Sequence, residues 1–394
     1  MDDKPQITLF LFFDALGWDI VEPKNYLADL LPYRRAMEMQ FGYSCTAIPT
    51  ILSGKRPAEH GHLGLFRFAP KDSPFRAVAA FMRCLKPASF WRRGRVRNQL
   101  SKLVRRLLGF TGYFQLYAVP PEKLGYLDYG EKKNLFTPGG LSPVENLAER
   151  CERSGVKCHI TDWRKGEAVA FSAAEDAIRA GAQFLFVYAA DLDAIRHDEA
   201  LKAESPRIDA KLAEYRRRVE SLVAALKATG KSWSLTVFSD HGMTPLAKTI
   251  DLKSAVEATG LVYGRDYGCC YDSTLFRVTY LKPEAKAKIE KAVAAFAQDG
   301  HWLSEEEQRR HGLYRADRYF GDGIFLVNPG VQIVPSDMGV KPLNGMHGFD
   351  PMERHSLAAA LSTEPIPESV KGVYDYYSMM DAALTRLERE GEVK

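Results

Sequence analysis

The stretch FSDHGM, Phe238 to Met243, ends an apolar run with Asp240 and His241 side by side. A carboxylate and an imidazole offered together suit a divalent cation, although a helix cap or loop uses the same residues. Two further stretches add donors of the same kind. In DLDAIRH, Asp193 and His197 stand four residues apart, on one face if the segment is helical and merely on a surface loop if it is not. In GMHGFDP, His347 lies between Gly345 and Gly348, where a bent backbone could present an imidazole or simply make a turn. Asp14 closes the first apolar run, ITLFLFF. Each residue alone has an ordinary explanation. Together they make three carboxylates and three imidazoles, enough for two zinc-like ions with open positions. Mixed Asp and His ligation suits zinc best and admits manganese.

A nucleophile for such ions is offered by GYSCTAIPTILSGKRPAEHG, Gly42 to Gly61. Ser44 falls where a loop should enter a helix, so backbone N–H groups and the helix dipole would favour an anion beside it. A bound cation would lower the hydroxyl pKa; a plain N-cap serine is the competing reading. The backbone N–H of Cys45 could donate to a phosphoryl oxygen, and Thr46 is the reserve nucleophile. Lys55 is either a phosphate contact or a solvated turn charge.

The elements that must hold these groups are legible in outline. ITLFLFF, AQFLFVYAA (Ala182 to Ala190) and WSLTVFS (Trp233 to Ser239) are continuous apolar runs of the kind a sheet covered on both faces requires. Helical patterns cover 142–154, 173–180 and 205–229, and buried strands alternating with helices predict an α/β/α sandwich with a mostly parallel sheet. Each of the three runs ends in aspartate, and ligands gather at the carboxyl ends of parallel strands. The expected organisation is a core of 1–68, 139–260 and 326–394. A basic and aromatic cap insertion over 69–138 and a small α/β cap insertion over 261–325 interrupt it.

With these motifs in place, the chain resembles the alkaline phosphatase superfamily, and most closely its type I phosphodiesterase and nucleotide pyrophosphatase branch. The branch carries an Asp after the first strand, a Thr or Ser nucleophile ten residues before the Gly of a T-G-x-x-P-x-x-H-G turn, a D-x-x-x-H, an S-D-H-G-M and a late G-x-H-G. Here these are Asp14, Ser44 before SGKRPAEHG, Asp193 with His197, Ser239 to Met243, and His347, in family order. The resemblance implies one ion held by Asp193, His197 and His347. It implies a second held by Asp14, Asp240 and His241, with Ser44 as nucleophile and ligand. The branch more often uses Thr as nucleophile. Sulfatases of the superfamily need Arg four positions on, where this chain has Ile48. The implied activity is hydrolysis of a phosphodiester or pyrophosphate through a phosphoseryl intermediate, on a small-molecule phosphate ester or nucleotide-type substrate. A phosphomonoesterase, a phosphotransferase and a catalytically silent protein that binds anionic lipid or polymer are the alternatives.

The bulk composition is that of a soluble globular protein: 394 residues, 46% hydrophobic and 26% charged, with net charge +4. Six scattered cysteines without zinc-finger spacing suggest free thiols in a reducing compartment. The first apolar run is too short to span a membrane, and it has neither the basic lead nor the cleavage site of a signal peptide. The expectation is therefore a cytoplasmic protein. Charge is uneven, because no acidic residue lies between Asp72 and Glu122, whereas ten Lys and Arg do. Within it, Val96, Leu100, Leu103, Val104, Leu107 and Leu108 recur at helical spacing against Arg and Lys. That helix could be a packed lid with a solvated face, or residues 83–110 could make a peripheral contact with anionic or lipid-linked phosphate at the inner membrane face. Nucleic acid is the least favoured partner.

Overall fold

The computed structural model describes residues 5–85, 93–200 and 205–392, and the chain forms two compact units. The first comprises residues 1–55, 135–245 and 350–394; the second comprises 56–134 and 246–349. The sequence alone places the insertions at 69–138 and 261–325.

The first unit is built on a six-stranded sheet. Its strands are β1 (Ile7–Phe13), β2 (Tyr33–Met37), β3 (Cys158–Ile160), β4 (Phe184–Ala189), β5 (Trp233–Phe238) and β6 (Ala358–Ser362). Their spatial order is β2-β6-β5-β1-β4-β3. Strands β3, β4, β1 and β5 run parallel, and β6 is antiparallel to both its neighbours. All seven residues of β1 are buried. Because side chains alternate across a strand, Ile7, Leu9, Leu11 and Phe13 enter one apolar core while Phe10 and Phe12 enter another.

Helices cover both faces. Residues of α3 (Glu167–Arg179) and α5 (Pro206–Ala228), such as Phe171 and Tyr215, fill the first core. Residues of α1 (Ser44–Ser53), α2 (Leu147–Ser154) and α6 (Tyr376–Glu392), such as Ile51, Leu147 and Leu384, fill the second. The three-layer α/β/α architecture and its mostly parallel sheet are those read from the apolar runs. The long helix starts where its cap residue stands: Ser205 Oγ accepts the Ile208 N–H at 3.2 Å, and Pro206 occupies the first turn. The remaining helix of the unit that matters below is α4 (Asp191–Glu199). No helix among the described residues is long and apolar enough to cross a membrane.

The second unit has its own antiparallel sheet of Tyr267–Tyr271, Leu275–Tyr280, Gly323–Val327 and Gly300–Trp302. It also carries the basic helix Gly94–Leu107. Lys86 and Arg92 of the basic segment lie outside the described residues. Arg97, Ser101 and Val104 face inward, whereas Leu103 and Leu107 are 53% and 70% exposed. The apolar stripe is therefore split, with Val104 packed inward and Leu103 and Leu107 turned out. Arg97 turns in because its guanidinium donates to the loop carbonyls of Leu116 and Val119.

Leu11, fully buried at the sheet centre, and Leu103, half exposed, give a direct test of this packing. Leu11→Ala should cost about 2–5 kcal/mol and lower the urea midpoint of the intact chain. Leu103→Ala should shift it by no more than about 0.5 kcal/mol equivalent.

Candidate metal and phosphoryl-transfer site

The first unit brings its sequence-singled residues together at the carboxyl ends of β1, β4 and β5. Asp14 directly follows β1, Asp240 and His241 follow β5, and Asp193 and His197 lie on α4, just after β4. The helical reading of DLDAIRH holds: His197 Nε2 is 3.4 Å from Asp193 Oδ2 across one turn. His241 Nε2 is the hub of the other group. It stands 3.4 Å from Asp14 Oδ1, 3.3 Å from Asp240 Oδ2 and 3.0 Å from Ser44 Oγ. Its Nδ1 lies 2.7 Å from the Gly242 carbonyl, which fixes Nδ1 as the protonated donor and leaves the Nε2 lone pair facing the three oxygens.

Ser239 and Gly242 of SDHGM have structural tasks of their own. Ser239 Oγ donates to the Leu16 carbonyl at 2.7 Å and accepts the Ala359 N–H at 2.9 Å, tying β5 to the turn after β1 and to β6. Gly242 must be glycine, since a Cβ there would stand 2.2 Å from the His355 carbonyl oxygen. On the facing turn, Ala15 adopts φ 60°, and its N–H donates to Asp240 Oδ1 at 3.2 Å. A non-glycine residue in that region is strained, and the strain sits directly beside the acidic cluster.

Ser44 is the first residue of α1, preceded by Gly42 at φ 115°. Thr46 is spent differently, because its hydroxyl accepts the Tyr43 N–H at 3.3 Å and caps the helix. Cys45 lies in the first turn of α1, where N–H groups point out of the helix end. Lys55 is exposed beyond the opposite end, a ten-residue helix away from Ser44, or about 15 Å along the axis. The structure does not bring it to the serine. His347 belongs to the second unit, where it is buried after Gly345–Met346.

Two residues that sequence reasoning missed hold the cluster in shape. Tyr188, buried at the end of β4, donates its hydroxyl to Asp14 Oδ2 at 2.5 Å. A tyrosine inside an apolar strand needs such a partner, and that was the available signal. Arg196 lies between Asp193 and His197 in sequence and is 3% exposed. It donates to the Ala15 carbonyl at 2.7 Å and pairs with Asp19, so it pins α4 to the turn that follows Asp14.

The electrostatics are those of a site short of positive charge. Burial, then the nearby Asp240 and Asp193 charges, push the Asp14 carboxyl well above its ordinary range. Burial raises Asp240 from 3.8 to about 7, and burial lowers His241, keeping its ring neutral. Asp14 Oδ1 and Asp240 Oδ2 are buried and receive no hydrogen bond among the described residues. A divalent ion fits this donor set. Ligands at 2.0–2.1 Å from a tetrahedral ion stand roughly 3.3 Å apart, which is close to the spacings around His241 Nε2. Asp14, Asp193 and His241 also place ligand atoms within 4.8 Å of one another, so Asp193 lies directly beside this donor set.

An α/β/α sandwich with a serine hydroxyl and acidic clusters at the strand ends matches the alkaline phosphatase superfamily. The chain belongs to the type I phosphodiesterase / nucleotide pyrophosphatase family, whose model matches residues 9–350. It is accordingly a phosphoric ester hydrolase. Among solved structures it is similar to human ectonucleotide pyrophosphatase / phosphodiesterase 5, at TM-score 0.66 and 14% identity over 96% of this chain and 95% of that one. It is also similar to an inactive variant of the murine protein in complex with AMP, at TM-score 0.63 and 15% identity over 97% and 95%. No curated protein sequence matches significantly.

The raised Asp240 pKa sets a pH dependence in chelator-treated protein. The folded chain holds this proton up to about pH 7 and the unfolded chain only to about 4, so folded protein binds more protons between those values. Wild type should therefore lose stability relative to Asp240→Asn as pH rises from about 4 to about 7, with a flat difference above. Urea midpoints measured across that range for both proteins check the sign.

Proposed function

We propose that the chain cleaves a phosphodiester or pyrophosphate bond of a nucleotide-type substrate through a covalent phosphoseryl intermediate on Ser44. The observation that carries this reading is the convergence of the Ser44 hydroxyl with Asp14, Asp240 and His241, 3.0 Å from the imidazole. The family match and the ligand spacing support Asp14, Asp240, His241 and Ser44 as one ligand set. Asp193 and His197 form part of the other, and the resemblance assigns His347 to it. Zinc is the ion that this mixture of carboxylate and imidazole suits best.

Two divalent cations, when bound, supply charge for the attacking and leaving oxygens and lower the pKa of the serine hydroxyl. The rest falls to the chain. Ser44 Oγ gives its proton to solvent and attacks phosphorus in line, forming the Oγ–P bond as the bond to the leaving oxygen breaks and that oxygen takes up a proton from water. The helix start at Ser44, with the Cys45 N–H in its first turn, favours the negative charge that builds on the phosphoryl oxygens. Water then attacks the phosphoserine, releasing phosphate monoester and restoring the hydroxyl. The AMP bound to the murine relative supports a nucleotide-type substrate.

Two substitutions test this reading. Ser44→Ala should lower turnover of bis(p-nitrophenyl) phosphate by about 10³-fold or more while bound zinc, counted by elemental analysis, stays at two per chain. Faster wild-type turnover of p-nitrophenyl phosphate than of the diester would replace the diesterase assignment with a monoesterase. Tyr188→Phe, which frees Asp14 Oδ2 from its phenol, should weaken zinc binding about 10- to 100-fold in chelator competition. Unchanged affinity would show that the phenol plays no part in orienting Asp14.

A further inference from the structure

The basic helix Gly94–Leu107 is assembled with its polarity partly reversed, and the reversal leaves a surface with a defined chemistry. Its inward side is fixed by polar groups. Arg97 donates to the carbonyls of Leu116 and Val119, and Ser101 Oγ donates to the Arg97 carbonyl at 2.8 Å while accepting the Leu116 N–H at 3.0 Å. Only Val104 contributes a fully buried apolar side chain to that side.

Outward, two parallel rows are left. Leu103 and Leu107, one turn apart, are 53% and 70% exposed. Beside them Lys102 and Arg106, also one turn apart, are exposed, and Arg95 extends the cationic row two turns towards the helix start. Among the described residues none of these three cations has an ion-pair partner. Elsewhere exposed arginines find carboxylates: Arg216 pairs with Asp29, Arg309 with Glu305 and Arg179 with Asp176. The sequence explains the contrast, because no acidic residue occurs between Asp72 and Glu122.

We propose that this helix face docks on an anionic lipid surface, with Leu103 and Leu107 entering the acyl boundary and Arg95, Lys102 and Arg106 meeting the lipid phosphates. The charge row calls for a polyanion, and the leucine row selects among polyanions. Nucleic acid and acidic polypeptides satisfy the cations but give exposed leucines nothing apolar to enter. A bilayer of acidic lipids satisfies both rows at once. The anchoring of the opposite side through Arg97 and Ser101 means that the helix is already formed before it meets the membrane, so docking carries no cost of folding it.

The test uses the full chain with sedimenting vesicles of phosphatidylcholine alone or mixed with phosphatidylglycerol. The expected result is partitioning onto the mixed vesicles and little onto phosphatidylcholine. Leu103→Ser with Leu107→Ser should reduce partitioning about tenfold or more, and Lys102→Gln with Arg106→Gln should reduce it roughly 25-fold. Both variants should keep wild-type circular dichroism and wild-type hydrolysis of bis(p-nitrophenyl) phosphate. Absence of wild-type binding to the mixed vesicles would overturn the proposal. Binding that the leucine variant retains in full would overturn it as well, by showing bare charge attraction. So would displacement of the protein from vesicles by a single-stranded oligonucleotide together with a leucine-independent affinity for it, which would identify nucleic acid as the ligand.

Discussion

Two buried carboxylates and a neutral imidazole are gathered beside a third, half-buried carboxylate, Asp193, and everything around them is arranged to hold that repulsive set together. Asp14 and Asp240 are almost wholly buried and carry oxygens that accept no hydrogen bond among the described residues. An arrangement of this kind is costly without a cation, since burying charge unpaired is among the most expensive things a fold can do. The cost is tolerated because the backbone leaves the side chains no alternative. Asp14 is fixed by the end of β1, Asp240 and His241 by the end of β5, and neighbouring strands of a sheet cannot move apart without breaking their ladder.

The constraint propagates outward through short polar links. Tyr188 reaches Asp14 only because β4 is in register with β1, Phe12 lying beside Tyr188. Arg196 holds α4 against the turn carrying Ala15, and Ser239 joins that turn to β5 and β6. Gly242 and Gly17 lie so close that a Cβ on Gly17 would stand 2.4 Å from the Gly242 Cα. The site is thus a junction of backbones more than a collection of side chains, which is why small residues recur beside the acidic ones.

What could be read from the sequence follows from this. A strand covered on both faces must be a continuous apolar run, so β1, β4 and β5 announce themselves, and an aspartate that ends each run marks the functional edge. The capping serine and proline at 205 and 206 likewise place the start of α5. Cross-strand register is not written in any one segment, and so Tyr188 reads as one more apolar strand residue. The basic helix leaves its buried side open for a related reason. Its leucines recur at the spacing of a buried stripe, yet the loop carbonyls of Leu116 and Val119 claim Arg97 for the interior, and rotation about the helix axis follows the hydrogen bonds. Periodicity identifies a helix, whereas the side it buries depends on what its neighbours lack.

The strand order also bears on how the chain reaches this state. β1 precedes the other strands of this sheet in the chain, yet its two neighbours are β4 and β5, whose first residues are 184 and 233, and β5 is in turn flanked by β6, which begins at 358. During synthesis a seven-residue, largely apolar segment therefore has both edges open until residues 184–189 are made, and one edge open until residues 233–238 follow. Such long-range parallel pairing is slow to form and prone to wrong partners meanwhile. Yield of native protein should thus depend more on the pace of translation and on the supply of chaperones than the stability of the finished fold would suggest.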